Sequence, residues 1–218
     1  MLPLIYIITD NATDSPIFQS NLNACLTRSN AFIQFRLKSL TSQGYLSYLE
    51  SACQLAGPKA KRLLLNTGSL ECLGEALATC LEFPAGGVHL VSKDLMSSNI
   101  EEVLKKFKEQ WNKEHPPVIA ASCHTIDQLR KAQFLGLDFV VLSPILPSTT
   151  CPSNNYLGWE GFQKLIAQAG DLPVYALGGL NGSHLPIARQ YGAQGVAAIN
   201  AFWNKHDLNS EVYSTCKD

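Results

Sequence analysis

The chain alternates short apolar runs with longer polar stretches along its whole length. The runs are rich in leucine, β-branched and aromatic residues, which is typical of strands. They predict strands at residues 4–8, 32–36, 62–65, 87–90, 118–121, 139–142, 174–177 and 195–199. Several runs are apolar throughout, as in parallel strands that are covered on both faces.

The stretches between the runs are long enough to form helices. We predict helices over residues 42–56, 100–111, 125–135, 159–169 and 183–191. Thr125 and Gln128 have the spacing of a capping box, and Gly136 would end the helix that they begin. Eight strand–helix units in 218 residues favour an α/β fold, a (β/α)8 TIM barrel forming a single domain over residues 1–218. A doubly wound sheet is the alternative.

Composition and charge exclude several classes of function. The formal net charge is -1 and no long basic run occurs, so nothing indicates binding to nucleic acid or to anionic membranes. The apolar stretch at residues 3–8 is too short for a membrane span or a signal-peptide core, which predicts a cytoplasmic protein. The seven cysteines form no C-x-x-C pair, and we expect reduced thiols.

Polar and glycine residues occur where the predicted strands end. In a TIM barrel the chemistry lies at the carboxyl ends of the strands. The residues at or soon after those ends are Arg36, Lys38, Asn66, Asp94, Ser122, His124, Ser143, Ser148, Thr150, Gly178, Gly179 and Asn200. Their recurrence at successive strands predicts a site at this face of the barrel.

The stretch VYALGGLNG places two glycines directly after the seventh strand. Glycine lets backbone N–H groups come close to an anion, and phosphate-binding barrels use the loops after strands seven and eight for this purpose. Gly178 and Gly179, with Asn200 and the amide of Ala201 after strand eight, are therefore candidate phosphate-binding residues. The alternative is that the two glycines only form a tight turn.

Eight blocks of sequence follow one another in the chain: LIYIITD, FIQFRLK, LLLN, GVHLVSKDL, AASCHT, DFVVLSPILPSTT, VYALGGL and GVAAINAF. In this order they resemble the thiamine-phosphate synthase/TenI superfamily over nearly the whole chain. The resemblance implies a TIM barrel with a Q-x-R-x-K segment after strand two and a phosphate-binding Gly-Gly turn after strand seven. The substrate-binding residues that it implies are Gln34, Arg36, Lys38, Asn66, Ser122, Ser148 and Thr150.

Members of the superfamily catalyse two different reactions. Thiamine-phosphate synthases join a pyrimidine diphosphate to a thiazole phosphate, and Mg²⁺ and cations stabilise the departing diphosphate. Their pattern has a metal-binding Asp where this chain has Thr67, and a diphosphate-binding lysine where this chain has Cys151. Asp94 matches their other acidic residue and would bind Mg²⁺ if the protein is a synthase.

TenI-like enzymes are thiazole tautomerases, which shift a proton on a thiazole phosphate carboxylate without an obligatory metal. The resemblance places their histidine at His124, and histidine suits a proton shuttle near neutral pH. Arg36 would pair with the carboxylate. We therefore favour an isomerase that acts on a thiazole phosphate and requires no cofactor. A divergent synthase and a non-catalytic binder of thiazole phosphate or thiamine phosphate are the alternatives, and a homo-oligomer is compatible with each of them.

Two other residue types near the predicted mouth have simpler interpretations. His89 lies within a predicted strand, which is more typical of a hydrogen-bonded lining residue than of a base. Cys123 and Cys151 have no partner motif for a nucleophile or a metal site, so we expect no chemical role for them.

Overall fold

The structure of the protein is a computed structural model that describes residues 1–10, 15–147 and 155–203. Its eight strands are all parallel and close into a barrel, in which each strand pairs with the next in sequence and the last pairs with the first. The strands are β1 (Ile5–Ile8), β2 (Phe32–Phe35), β3 (Leu63–Asn66), β4 (Gly87–Leu90), β5 (Val118–Cys123), β6 (Phe139–Leu142), β7 (Val174–Leu177) and β8 (Gly195–Ala198). The predicted (β/α)8 barrel is confirmed, and the doubly wound alternative is wrong.

All eight predicted strands exist, and their errors lie at the ends. β4, β6 and β7 have the predicted bounds. β5 is two residues longer than predicted because Ser122 and Cys123 pair with β6, so Ser122 lies within the strand and not after it. β8 is one residue shorter because the carbonyl of Ile199 already accepts bonds from Phe202 and Trp203 and so begins a helical turn.

Helices follow the strands and cover the outside of the barrel. They are α1 (Ser15–Arg28), α2 (Ser42–Ala56), α3 (Leu73–Glu82), α4 (Ser92–Leu95), α5 (Ile100–Gln110), α6 (Ile126–Phe134), α7 (Gly158–Ile166), α8 (Leu185–Gln190) and α9 (Asn200–Trp203). Short 3-10 segments span Gly57–Arg62, Thr67–Ser69 and Gly182–His184. The last of these occupies the start of the helix predicted over residues 183–191, and α8 begins only after it. None of the described helices is both long enough and apolar enough to span a membrane.

The start of α6 differs in one detail from the predicted capping box. The Thr125 hydroxyl accepts a bond from the Gln128 amide at 3.4 Å, as that motif requires. The Gln128 side chain, however, accepts from the backbone N–H of His124 at 2.6 Å, one residue before the cap. This bond holds the backbone of His124 at the end of β5. Gly136 follows the helix with a φ of 62°, as predicted for its end.

The barrel interior is filled with apolar side chains below its carboxyl end. Tyr6 and Tyr175 pack against Phe139 with ring centroids 5.0 and 5.1 Å apart. The other members of this inner cluster are Ile8, Leu64, Ala120, Val141 and Ala197. Because the described residues fill the barrel interior here, we expect a small molecule to approach from the carboxyl ends of the strands.

Candidate active site

A continuous chain of hydrogen-bonded side chains forms the floor of the mouth. Asn66 donates to the side-chain oxygen of Gln34 at 3.0 Å, and Gln34 donates to the Tyr6 hydroxyl at 3.3 Å. That hydroxyl lies 3.0 Å from Nδ1 of His89, whose Nε2 lies 2.8 Å from the Ser122 hydroxyl. The structure thus brings together three predicted substrate-binding residues, through Tyr6 and His89. We refer to these five side chains as the polar chain.

His89 is fully buried and is neutral at ordinary pH. Burial, together with the smaller effect of the nearby Arg36 charge, lowers the pKa of its imidazole to about 3. The predicted hydrogen-bonded lining histidine is therefore confirmed. Sequence reasoning missed Tyr6, which looks like an ordinary member of an apolar strand. Its hydroxyl was the only available signal, because a buried Tyr normally finds a hydrogen-bond partner.

Three cations meet beside this floor, two from the end of β2 and one from α4. Partial burial lowers the pKa of Lys38, and the charges of Arg36 and Lys93 lower it further. Burial also lowers the pKa of Arg36, against the opposing effect of Asp10. We call Arg36, Lys38 and Lys93 the cation group. Lys38 is repelled by the other two, and an anion beside it would relieve this repulsion. Lys93 was not predicted, because its proximity to Lys38 arises only when the barrel closes.

Thr67 holds the one predicted metal ligand in place. Its hydroxyl donates to Oδ2 of Asp94 at 2.5 Å and accepts from the backbone N–H of Val91 at 3.1 Å. The described residues contain no group of three His, Cys, Asp or Glu side chains that could hold a metal ion. Mg²⁺, however, commonly uses one or two carboxylates and takes its other ligands from water and substrate phosphates. Asp94 therefore fits a Mg²⁺ ion that is shared with a phosphorylated substrate.

The two glycines after β7 adopt conformations that favour glycine, with φ values of 109° for Gly178 and 67° for Gly179. Their amides, and those of Asn200 and Ala201 at the start of α9, donate to no partner among the residues that the structure describes. Four N–H groups at the ends of neighbouring strands are thus available to an anion, which is the arrangement that the phosphate prediction requires.

The segment after β6 packs on this glycine turn. Ile145 donates its N–H to the Leu177 carbonyl at 2.9 Å, and Leu146 donates to the Gly178 carbonyl at 3.0 Å. A methyl group on Gly179 would lie 2.4 Å from the Pro147 carbonyl oxygen, which is far inside contact distance. The absence of a side chain at the turn therefore serves the packing of this segment as well as its backbone conformation.

His124 is exposed at the end of β5 and is fixed by backbone contacts. Its Nδ1 lies 2.9 Å from the Ser143 carbonyl oxygen and 3.3 Å from the Ser143 hydroxyl. Because a carbonyl can only accept, Nδ1 carries the proton in this contact. The other ring nitrogen has no partner within the described ranges and could exchange a proton with a ligand.

Other predicted residues are outside the site or outside the described ranges. Ser148, Thr150 and Cys151 belong to residues 148–154, which the structure does not describe. Cys123 faces the helices, and burial raises the pKa of its thiol to about 12, which excludes a thiolate nucleophile at ordinary pH. The five cysteines in the described ranges are free thiols, as predicted.

A TIM barrel with polar side chains and free backbone amides at the carboxyl ends of its strands belongs to a class in which this face carries the active site. Sequence comparison identifies the particular family. The profile described as thiamine monophosphate synthase matches residues 5–202, and the chain belongs to this family.

Named relatives cover nearly the whole chain. The thiamine-phosphate synthase of Fusobacterium nucleatum is 24% identical over 216 residues, which are 98% of this chain and 96% of that protein. The thiamine-phosphate synthase of Chlamydia caviae is 27% identical over 187 residues, 85% of this chain and 80% of that protein. Among solved structures, thiamine phosphate pyrophosphorylase from Pyrococcus furiosus superposes with a TM-score of 0.71 at 20% identity, covering 98% and 96% of the two chains. This last similarity supports the fold alone.

Proposed function

We propose that the protein is a thiamine-phosphate synthase, which couples a pyrimidine diphosphate to a thiazole phosphate and releases diphosphate. The sequence alone favoured an isomerase of thiazole phosphate and gave the synthase as an alternative. Relatives named as synthases support it, and so does the cation group. A carboxylate and a phosphate, the anions of an isomerase substrate, would need fewer cations at this edge of the barrel.

The cation group is the observation that carries the proposal. Among the residues that the structure describes, Arg36, Lys38 and Lys93 exceed in charge the two carboxylates beside them, Asp10 and Asp94. This part of the cleft therefore favours a multiply charged anion. Diphosphate is such an anion, and its charge increases as it leaves the pyrimidine. Preorganised cations that meet this developing charge stabilise the transition state more than the ground state. Lys93 would supply, from the β4 side, a cation that the synthase pattern has at position 151.

Asp94 is the residue that would hold Mg²⁺ in this reaction. The hydrogen bond from Thr67 occupies Oδ2 of Asp94, whereas Oδ1 accepts no bond from the part of the chain that the structure describes and would be available for an ion. Bound Mg²⁺ would neutralise part of the charge on the diphosphate. Thr67 thus serves as a positioning residue where the synthase pattern has a second carboxylate, and the donor set fits a single-carboxylate site completed by substrate oxygens.

The second substrate would lie on the other side of the mouth. Its phosphate would be held by the amides of Gly178, Gly179, Asn200 and Ala201. Gln34 and Asn66, both nearly buried in the floor, would contact the rings of the two substrates through their remaining N–H groups. Placing the two substrates against one floor converts their reaction into an effectively intramolecular step.

His124 supports isomerisation of a thiazole phosphate as a second candidate function. Its Nδ1 is held by the Ser143 carbonyl, so in the neutral ring Nε2 carries a lone pair toward the mouth. This arrangement suits a proton carrier. Coupling does not require such a group, since the reaction is driven by the leaving diphosphate.

Parallel assays on one preparation test the proposal. Mg²⁺-dependent release of diphosphate from the two substrates is expected in the parent and should fall about 10²-fold or more in Asp94→Asn. Asp171→Asn, which removes an exposed carboxylate before β7, is the matched control and should behave like the parent. Isomerisation without coupling would favour the TenI-like reaction, and binding of thiazole phosphate without either reaction would favour a non-catalytic binder.

A further inference from the structure

The polar chain has a direction that is set by one backbone group. The Gly68 N–H can only donate, and it donates to Oδ1 of Asn66 at 3.0 Å. The other side-chain atom of Asn66 is therefore the NH₂ group, which donates to Oε1 of Gln34. This in turn leaves the Gln34 NH₂ group to donate to the Tyr6 hydroxyl. Each amide orientation follows from the previous bond.

The direction continues through the histidine. Because the Tyr6 oxygen already accepts a bond from Gln34, its own proton is donated to Nδ1 of His89. A neutral imidazole that accepts at Nδ1 carries its proton on Nε2, which then donates to the Ser122 oxygen at 2.8 Å. The reverse tautomer would leave the Tyr6 proton without an acceptor among the described residues, inside a fully buried site.

Ser122 is the last of the five side chains in the polar chain. Its oxygen accepts from His89, so its own proton points away from that ring, and the hydroxyl has no further partner in the described part of the structure. The side chain is half-buried at the carboxyl end of β5, where a ligand in the mouth can reach it. A hydroxyl that is fixed as a donor suits an anionic acceptor, because hydrogen bonds to charged groups are the stronger ones.

We propose that Tyr6 and His89 are positioning residues that fix Ser122 as a hydrogen-bond donor to the anion in the mouth. The identification of that anion as the diphosphate of a substrate rests on the proposed function. The donor role itself rests on the direction of the hydrogen bonds in the polar chain. Tyr6 and His89 do not touch the anion, and they act on it through Ser122.

A stability role alone would not need this arrangement. Phe139 and Tyr175 fill the same inner cluster, and the Tyr175 hydroxyl donates to the carbonyl of Pro3 and not to the polar chain. Replacing linked polar groups by apolar groups of similar shape is often nearly neutral for stability. Tyr175→Phe is therefore a matched control, since it removes a hydroxyl from the same cluster and leaves every hydrogen bond of the polar chain in place.

The tautomer of His89 is the first test. In protein labelled with ¹⁵N-histidine, the ring nitrogens of His89, assigned by their loss in His89→Gln, are expected to show a neutral ring with its proton on Nε2 between pH 5 and 8. The hydroxyls of Tyr6 and Ser122 are its polar neighbours, and Arg36 is the nearby charge. A ring with its proton on Nδ1, or a charged ring, would overturn the proposal.

A double-mutant cycle on the affinity for inorganic pyrophosphate is the second test. Ser122→Ala should weaken binding about tenfold or more, as the loss of a bond to a charged acceptor does. Tyr6→Phe should weaken it about twofold if the two His89 tautomers become equally populated, and more if the tautomer with its proton on Nδ1 predominates. In the Ser122→Ala background Tyr6→Phe should have no effect, because its influence passes through Ser122.

Three results of the mutant cycle would contradict the inference. They are parent-like binding in Tyr6→Phe, an equal loss in Tyr175→Phe, and additivity of Tyr6→Phe with Ser122→Ala. A parent that does not bind pyrophosphate would also contradict it, because the donor would then have no anion. If the cycle behaves as expected but no coupling activity is found, the proposed function fails and the positioning role stands.

Discussion

Adding one methyl group at Gly179 should disturb the site in a way that can be calculated. Its φ of 67° lies in the left-handed region, where an alanine costs roughly 1–2 kcal/mol. The new Cβ would also lie 2.4 Å from the Pro147 carbonyl oxygen and 3.0 Å from Cβ of Leu146. Relief of the first contact requires a movement of about 1 Å, since attractive contacts begin only beyond about 3.5 Å.

Gly136 provides a matched control because it has nearly the same backbone conformation and open space. Its φ is 62°, and a Cβ there would meet nothing within 4 Å. Gly136→Ala should therefore lower the free energy of unfolding by about 1–2 kcal/mol and leave the site unchanged. Gly179→Ala should show the same backbone penalty and, in addition, a displaced turn.

The two variants are compared by denaturant unfolding, by calorimetric titration with inorganic phosphate and by the coupling rate. A misplacement of about 1 Å in a site can cost about 10²-fold in rate, so Gly179→Ala should lose coupling on that scale and bind phosphate more weakly. Gly136→Ala should bind and react like the parent. If both variants bind phosphate equally well, the turn is not the phosphate site.

Three further predictions concern charged and titrating groups. Lys93→Gln should weaken pyrophosphate binding about tenfold, whereas Lys105→Gln on the exposed face of α5 should not, and equal effects would remove Lys93 from the site. His124→Asn should lower any isomerisation about 10²–10⁴-fold, and an unchanged rate would exclude His124 as the proton carrier. Because the pKa of His89 is about 3 in the folded state and the unfolded histidine takes up a proton near pH 6.5, unfolding free energy should fall as the pH drops below that value. The slope, about 1.4 kcal/mol per pH unit, is measured by denaturant titration against His89→Gln, which should lack it.

The barrel could be predicted from the sequence because its signal is local. Each strand is apolar on both faces, so an uninterrupted run such as Phe139–Leu142 identifies it without knowledge of its neighbours. α1 was not predicted because its segment is rich in polar residues with weak helix preference. Its place is explained by contacts distant in sequence, including the ring of Phe18 packed on Trp203 with a centroid separation of 4.9 Å.

The candidate site was predictable where residues follow a strand and hidden where they depend on closure of the barrel. Asn66 could be found from the end of its strand, and Gln34 from the family resemblance. The partnership of Tyr6 with His89 joins positions 83 residues apart. The proximity of Lys93 to Lys38 likewise appears only when the barrel brings together the ends of β2 and β4, which lie on either side of β3. Neither pairing has a local sequence pattern from which it could have been predicted.

The segment that packs on the glycine turn makes the two halves of the mouth mechanically dependent. Ile145 and Leu146 are bonded to the Leu177 and Gly178 carbonyls, so a movement of this segment also moves the turn. A ligand that steadies either one will favour the bound position of the other, and such coupling is reciprocal by thermodynamic necessity. If one substrate rests on the turn and the other contacts the segment, each should bind more tightly when its partner is present. The enzyme would then show substrate synergism without a second conformational state of the barrel.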